Sequence, residues 1–138
     1  MTTKRFPAIT VYQPWASLIA GGFKHYETRH WQPPRSLVGN LIAIHAGKLW
    51  TQREKRWLAA YQQLYPEITS MAIPLGAIVA MCRLTAVLPT EALTNINQRE
   101  RSFGDFSPGR FGWQLEVVRV PQNPIVVTGK QGIWYWEG

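Results

Sequence analysis

Ala77-Ile78-Val79-Ala80-Met81-Cys82-Arg83-Leu84-Thr85-Ala86-Val87-Leu88 is a long β-type run that opens directly after Pro74-Leu75-Gly76. Three further strand-type segments follow it: Phe111 to Val120, Ile125 to Thr128 and Ile133 to Trp136. Gly129-Lys130-Gln131-Gly132 supplies the turn between the last two. Before the long run, Ala8-Ile9-Thr10-Val11, His25 to Arg29 and the buried-type Leu41-Ile42-Ala43-Ile44-His45 also read as strands. Most of the β pairing therefore falls late in the chain.

Two helices interleave with these strands. Pro14 to Ala20 has Pro in its first turn and Gly21-Gly22 to stop it. The second opens on Thr51-Gln52-Arg53-Glu54, whose hydroxyl and carboxylate are spaced to satisfy the free backbone donors reciprocally. Trp57, Ala60, Tyr61, Leu64 and Tyr65 then share one face and predict core packing, and Pro66 closes the segment. Thr94 to Asp105 reads as a polar, mobile connection. Five or six strands with two or three helices predict an α+β fold, a small closed or half-closed β-barrel with helices at its rim.

The 138 residues suit a single domain, because a second independent core would be too small. Apolar residues make up 46%, and no window approaches the roughly 20 consecutive apolar residues of a membrane span. Met1-Thr2-Thr3-Lys4-Arg5-Phe6-Pro7 lacks the apolar segment of a secretory signal, so a soluble cytoplasmic protein is expected, with no membrane partner. Cys82 is the only cysteine, which excludes a disulfide framework or Cys-based zinc site within one chain; a buried, inert thiol is expected.

Charge narrows the partner. Fifteen Lys and Arg against eight acids give +7, a balance that favours polyanions through counterion release. Asp105 is the only aspartate and the seven glutamates are scattered, so neither a metal nor another cofactor is expected.

The densest polar stretch is Gly21-Gly22-Phe23-Lys24-His25-Tyr26-Glu27-Thr28-Arg29-His30-Trp31. Strand alternation places His25, Glu27, Arg29 and Trp31 on one face, with Lys24 just past a glycine pair that lets backbone approach a ligand. Cations, a carboxylate and an aromatic on one rim suit a phosphate, a base edge and a base face, although a salt-bridged strand would use the same charges. Ile44-His45-Ala46-Gly47-Lys48 places His45 and Lys48 at a strand end, where His45 also reads as a satisfied core histidine. Arg53, Lys55 and Arg56 open the following helix against its dipole, which a nearby phosphate would relieve. Arg110 with Phe111 and Trp113 offers a stacking platform or core filling. No Ser sits in a hydrolase-type turn and His25, His30 and His45 lack an Asp partner, leaving a desolvated Lys24 with Glu27 as the remaining catalytic pair.

Val11-Tyr12-Gln13-Pro14-Trp15, Gly22 to Arg29, Ile44 to Lys48, Leu75 to Ala80, Phe111-Gly112-Trp113 and Gly129 to Trp134 together resemble the ASCH domain family across most of the chain. The resemblance implies a PUA-like fold, a small β-barrel with flanking helices. It also implies RNA or nucleotide binding in a cleft lined by Lys24, Glu27 and Arg29, with Trp15 and His45 as neighbours. Trp31, Lys48, Arg110 and Trp113 complete the expected interface. Some family members are enzymes: an amidohydrolase that deacylates modified cytidine such as N4-acetylcytidine with a lysine, a threonine and a glutamate, and metal-dependent ribonucleases. Lys24 matches that lysine, Glu27 stands where the threonine would be, and Glu91 and Glu116 are candidates for the glutamate only by rough position.

Overall fold

The computed structural model describes residues 4–138, so Met1, Thr2 and Thr3 of the Met1–Pro7 stretch, where no secretory signal was expected, lie outside the described residues. These residues form seven strands and three α-helices: β1 (Arg5–Val11), α1 (Trp15–Ala20), β2 (Tyr26–Arg29), β3 (Leu41–Ala46), α2 (Gln52–Leu64), β4 (Ala77–Pro89), α3 (Gln98–Ser102), β5 (Phe111–Arg119), β6 (Ile125–Val126) and β7 (Trp134–Glu137). The fold is α+β, with one sheet of seven strands rather than the expected five or six: β2-β5-β4-β3-β1-β7 run in that order and β6 pairs with β4 off this path. β1 and β3 pair in parallel and the other ladders are antiparallel.

The long run is the spine of this sheet. One edge of β4 carries β3, from Leu41↔Arg83 to Ala46↔Ala77. The opposite edge carries β6 at its start and β5 along the rest, to Pro89↔Phe111. Alternation then sorts the side chains: Ile9, Val11, Ile42, Ile44, Cys82, Leu84 and Trp113 enter the main core with Ala16 and Ile19 of α1. Ala8, Ala43 and Ile78 face the other way, under Trp134. Each fully buried Ile or Leu contributes roughly 1.5–3 kcal/mol relative to an exposed one.

The sheet does not close into a barrel, which corrects the sequence expectation. β2 and β7 are the two edges, and no ladder joins them among the described residues. A side chain spans the gap instead: Arg29 Nη2 donates to the Thr10 carbonyl of β1 at 2.9 Å. A cleft opens at this seam.

α2 starts as its capping box predicts, with Thr51 accepting from Arg53 N and Glu54 accepting the Thr51 N–H at 2.7 Å. Its apolar stripe does not behave as a core stripe. Tyr61 alone of the five is buried, and Leu64 is 65% exposed. Tyr61 packs with Leu18, Ile68 and Phe103 in a small cluster that joins the three helices.

The stretch 94–105 is no slack connection. Asn97 Oδ1 accepts from Glu100 N at 2.8 Å and caps α3, whose five residues are too few to leave a periodicity in the sequence. The Gly21-Gly22 pair stops α1, with Gly22 at φ 78, and takes no part in the cleft.

Candidate functional site

The cleft has a volume of about 1170 Å³. Its walls come from the ends of β1 and β3, from β2, from the residues after α3 and from the loop 128–132. Of the nine residues expected from sequence, it gathers Trp15, Lys24, Glu27, Arg29, Trp31, His45, Lys48 and Arg110. Trp113 is the exception. It is fully buried in the core, where it meets Trp31 edge-on at 5.0 Å and donates Nε1–H to the Trp31 carbonyl at 3.4 Å. Phe111 packs half-buried against the same core, so the Phe111–Trp113 pair offers no stacking platform.

Lys24 sits at the floor. Its side chain is buried, and Nζ donates to the Phe103 carbonyl at 2.8 Å and stands 3.8 Å from Glu27 Oε1. Burial pulls its ammonium below the ordinary lysine value, with Glu27 and then Glu100 opposing the shift. A lysine spent in this way is not extended toward exterior phosphates. The cations open to solvent on the same walls are the exposed Lys48 and Lys130, with Arg29 and Arg110 partly exposed beside them.

Glu27 is held between two cations, since its Oε2 also accepts from Arg29 Nε at 3.0 Å. Glu27 and Arg29 share the cleft face as alternation requires, whereas His25 is exposed and lies outside it. Thr28 joins the site because the chain after α3 folds over it. Its Oγ1 accepts from Asp105 N at 3.0 Å, and Arg110 Nη2 donates to its carbonyl at 3.1 Å. Gly104 permits this approach: a Cβ there would lie 3.2 Å from Thr28 Oγ1 and 3.3 Å from Lys24 Nζ.

His45 is a satisfied histidine at the opposite wall. Nε2 lies 2.7 Å from the Val127 carbonyl, and Nδ1 lies 3.1 Å from Thr10 Oγ1. Nε2–H donating to Val127 and Nδ1 accepting from the Thr10 hydroxyl is the neutral tautomer that uses both contacts. Burial accordingly pulls the imidazole below its ordinary value.

Aromatic rings line the remaining side. Trp15 Nε1 donates to the Tyr61 hydroxyl at 3.1 Å, which donates to the Ser102 carbonyl at 2.8 Å. Trp57 packs at 6.3 Å from Trp15 and 5.6 Å from Tyr61, yet stays 44% exposed on the cleft wall. Trp57, Thr28 and Lys130 are site residues that sequence reasoning missed; for Trp57 the helical stripe was visible, but its unpartnered half was not.

Other expectations fall outside the cleft. Arg53, Lys55 and Arg56 do not line it. Neither do Glu91, which is engaged with Thr90 and Gly109, or exposed Glu116. The carboxylate near Lys24 from the second half of the chain is the buried Glu100. Among the described residues no three His, Cys, Asp or Glu side chains converge as a metal site requires. No helix among them is long and apolar enough to cross a membrane.

A family model, the ASCH domain, matches residues 9–125. The fold is similar to the crystal structure of ASCH from Zymomonas mobilis, at 17% identity and a TM-score of 0.54, covering 88% of this chain and 73% of that one. A serine-to-alanine mutant of that protein matches at 17% identity and a TM-score of 0.50, over 87% and 72% of the two chains. At this identity the likeness is one of fold. No curated protein matches significantly.

Proposed function

The chain belongs to the ASCH domain family, with its PUA-like fold, and from that premise we propose that residues 1–138 act as a single domain that binds RNA or a nucleotide in the cleft. One observation carries the reading: a seam of about 1170 Å³ joins exposed aromatic surface to a cationic rim. Trp15, Trp31 and Trp57 offer faces to an unstacked base, and Lys48, Lys130, Arg29 and Arg110 surround them with positive charge. Single-stranded RNA is recognised by this combination of stacking and backbone neutralisation.

The test is a salt series of single-stranded RNA binding to wild type and to a Lys48→Ala, Lys130→Ala double variant. Log affinity is expected to fall linearly with log salt, with a slope shallower by about 0.7 for each cation removed. Salt-independent binding, or no binding at all, overturns the reading.

A second reading, an amide hydrolase acting on a modified nucleoside such as N4-acetylcytidine, draws support from the setting of Lys24. Desolvation lowers the proton affinity of its amine, and the Thr28 hydroxyl lies close by, one position after the place where the resemblance sought a threonine. Lys24→Met then abolishes turnover; surviving turnover removes Lys24 from the chemistry. The ribonuclease branch relies on a metal, for which the described residues hold no such donor set, and this reading invokes none.

A further inference from the structure

Two carboxylates border the cleft among the described residues, and they differ in kind. The Asp105 side chain is 58% exposed and turned onto Ser107, while that of Glu27 is 12% exposed and faces the interior. A carboxylate is acceptor-only, with about four lone-pair sites on two oxygens. The fold occupies part of that capacity: Arg29 Nε donates to Oε2 at 3.0 Å, and Lys24 Nζ stands 3.8 Å from Oε1. Charge balance is already supplied by these two cations. What Glu27 can still add is hydrogen-bond acceptance on each oxygen.

A base edge entering beside Glu27 must therefore present donors. Among the four RNA bases, guanine alone places two N–H donors side by side, at N1 and the 2-amino group. Adenine and cytosine each set a ring-nitrogen acceptor next to their amino group, so one lone pair would face a carboxylate oxygen. Uracil flanks its single N–H with carbonyl oxygens. A site built to pair buried polar groups rejects ligands that leave them unpaired.

We propose that the cleft selects guanine, with Glu27 reading its N1–H and 2-amino edge while Trp15 or Trp57 covers the ring face. This rests on the RNA or nucleotide reading above and makes Glu27 a specificity-determining residue of that site.

The experiment uses uridine heptamers carrying one central guanosine, inosine, adenosine or cytidine, bound to wild type and to Glu27→Gln. Guanosine is expected to bind about tenfold more tightly than inosine, which lacks only the 2-amino donor, and more tightly still than adenosine or cytidine. Glu27→Gln should erase the guanosine-over-inosine difference while the shared salt slope persists. Equal binding of all four, a preference for adenosine or cytidine, or a guanosine preference that survives in Glu27→Gln overturns the proposal and leaves RNA binding standing. Failure of every heptamer to bind overturns both. If Glu27→Gln does not fold, Glu27→Asp takes its place: a carboxylate set back by one methylene should shrink the guanosine-over-inosine difference, and an undiminished difference overturns the role of Glu27. Guanosine monophosphate as competitor separates the sources: displacement assigns the cleft to a free nucleotide, and its absence assigns it to guanosine within a strand.

Discussion

Glu100 Oε1 accepts the backbone N–H of His25 at 2.8 Å, which fastens α3 to the start of β2. The second oxygen takes the Tyr26 N–H at 3.3 Å. This clamp sets where Phe103 and Gly104 meet Lys24 and Thr28. Glu100→Ala removes a charged acceptor from two backbone donors and is expected to cost about 1.5–3 kcal/mol in urea denaturation. Glu100→Gln keeps an acceptor oxygen and should cost less. A loss within about 0.5 kcal/mol for the alanine variant would show that α3 is held by other contacts.

Two tryptophans allow the proposed binding to be tested apart from folding. Trp57→Ala removes a half-exposed ring from the cleft wall. Its expected effect is a loss of about 1–3 kcal/mol in single-stranded RNA affinity, with stability changed by less than about 1 kcal/mol. Trp113→Ala empties a fully buried site and should cost about 3–5 kcal/mol of stability. Titration and denaturation of both variants check the pair; equal effects on affinity at unchanged stability would contradict the assignment of Trp113 to the core.

The loop after β6 closes on β1 and β3 without space to spare. A Cβ at Gly129 would stand 2.6 Å from both Thr10 Oγ1 and His45 Nδ1. Gly129→Ala must push the loop outward or break the Thr10–His45 contact, at about 1–3 kcal/mol. Thermal unfolding measures the cost, and an NMR shift of the His45 imidazole would report the broken contact. A variant with wild-type stability and an unmoved imidazole would mean that the loop yields freely.

His45 makes stability depend on pH in a defined direction. Its imidazole is held neutral by burial, below the ordinary value of about 6.5. Above that value both folded and unfolded chains carry it neutral, and it contributes no slope. Below it the unfolded chain takes a proton that the folded chain refuses, so stability falls by up to about 1.4 kcal/mol per pH unit. His45→Gln should lose less stability than wild type between pH 7.5 and 5.5 in denaturant titrations. Identical losses in the two proteins would remove His45 from the pH response.

Much of the fold is legible in local pattern. The β4 run, the strand pairs after it and the Thr51–Glu54 box each follow from side-chain chemistry within a few residues. α3 is not legible, because five residues fixed by the Asn97 cap and by the bond from Glu100 to the distant His25 carry no periodic signal. The core assignment of the α2 stripe also failed: amphipathicity shows that one face is apolar but not whether the fold covers it. Trp57 is left partly open there.

By itself the sequence determined where the strand segments fall, though not that seven of them join one sheet, together with the basic balance and the grouping of Lys24, Glu27 and Arg29, because alternation acts over short range. Only the tertiary structure decided that the sheet stays open at the β1–β2 seam, where the Arg29 side chain substitutes for a backbone ladder. It also decided that Lys24 is buried against Phe103, 79 residues away, while Lys48 and Lys130 are left in solvent. Burial and long-range hydrogen bonding depend on which distant segments meet, and no local pattern in this chain encodes that meeting.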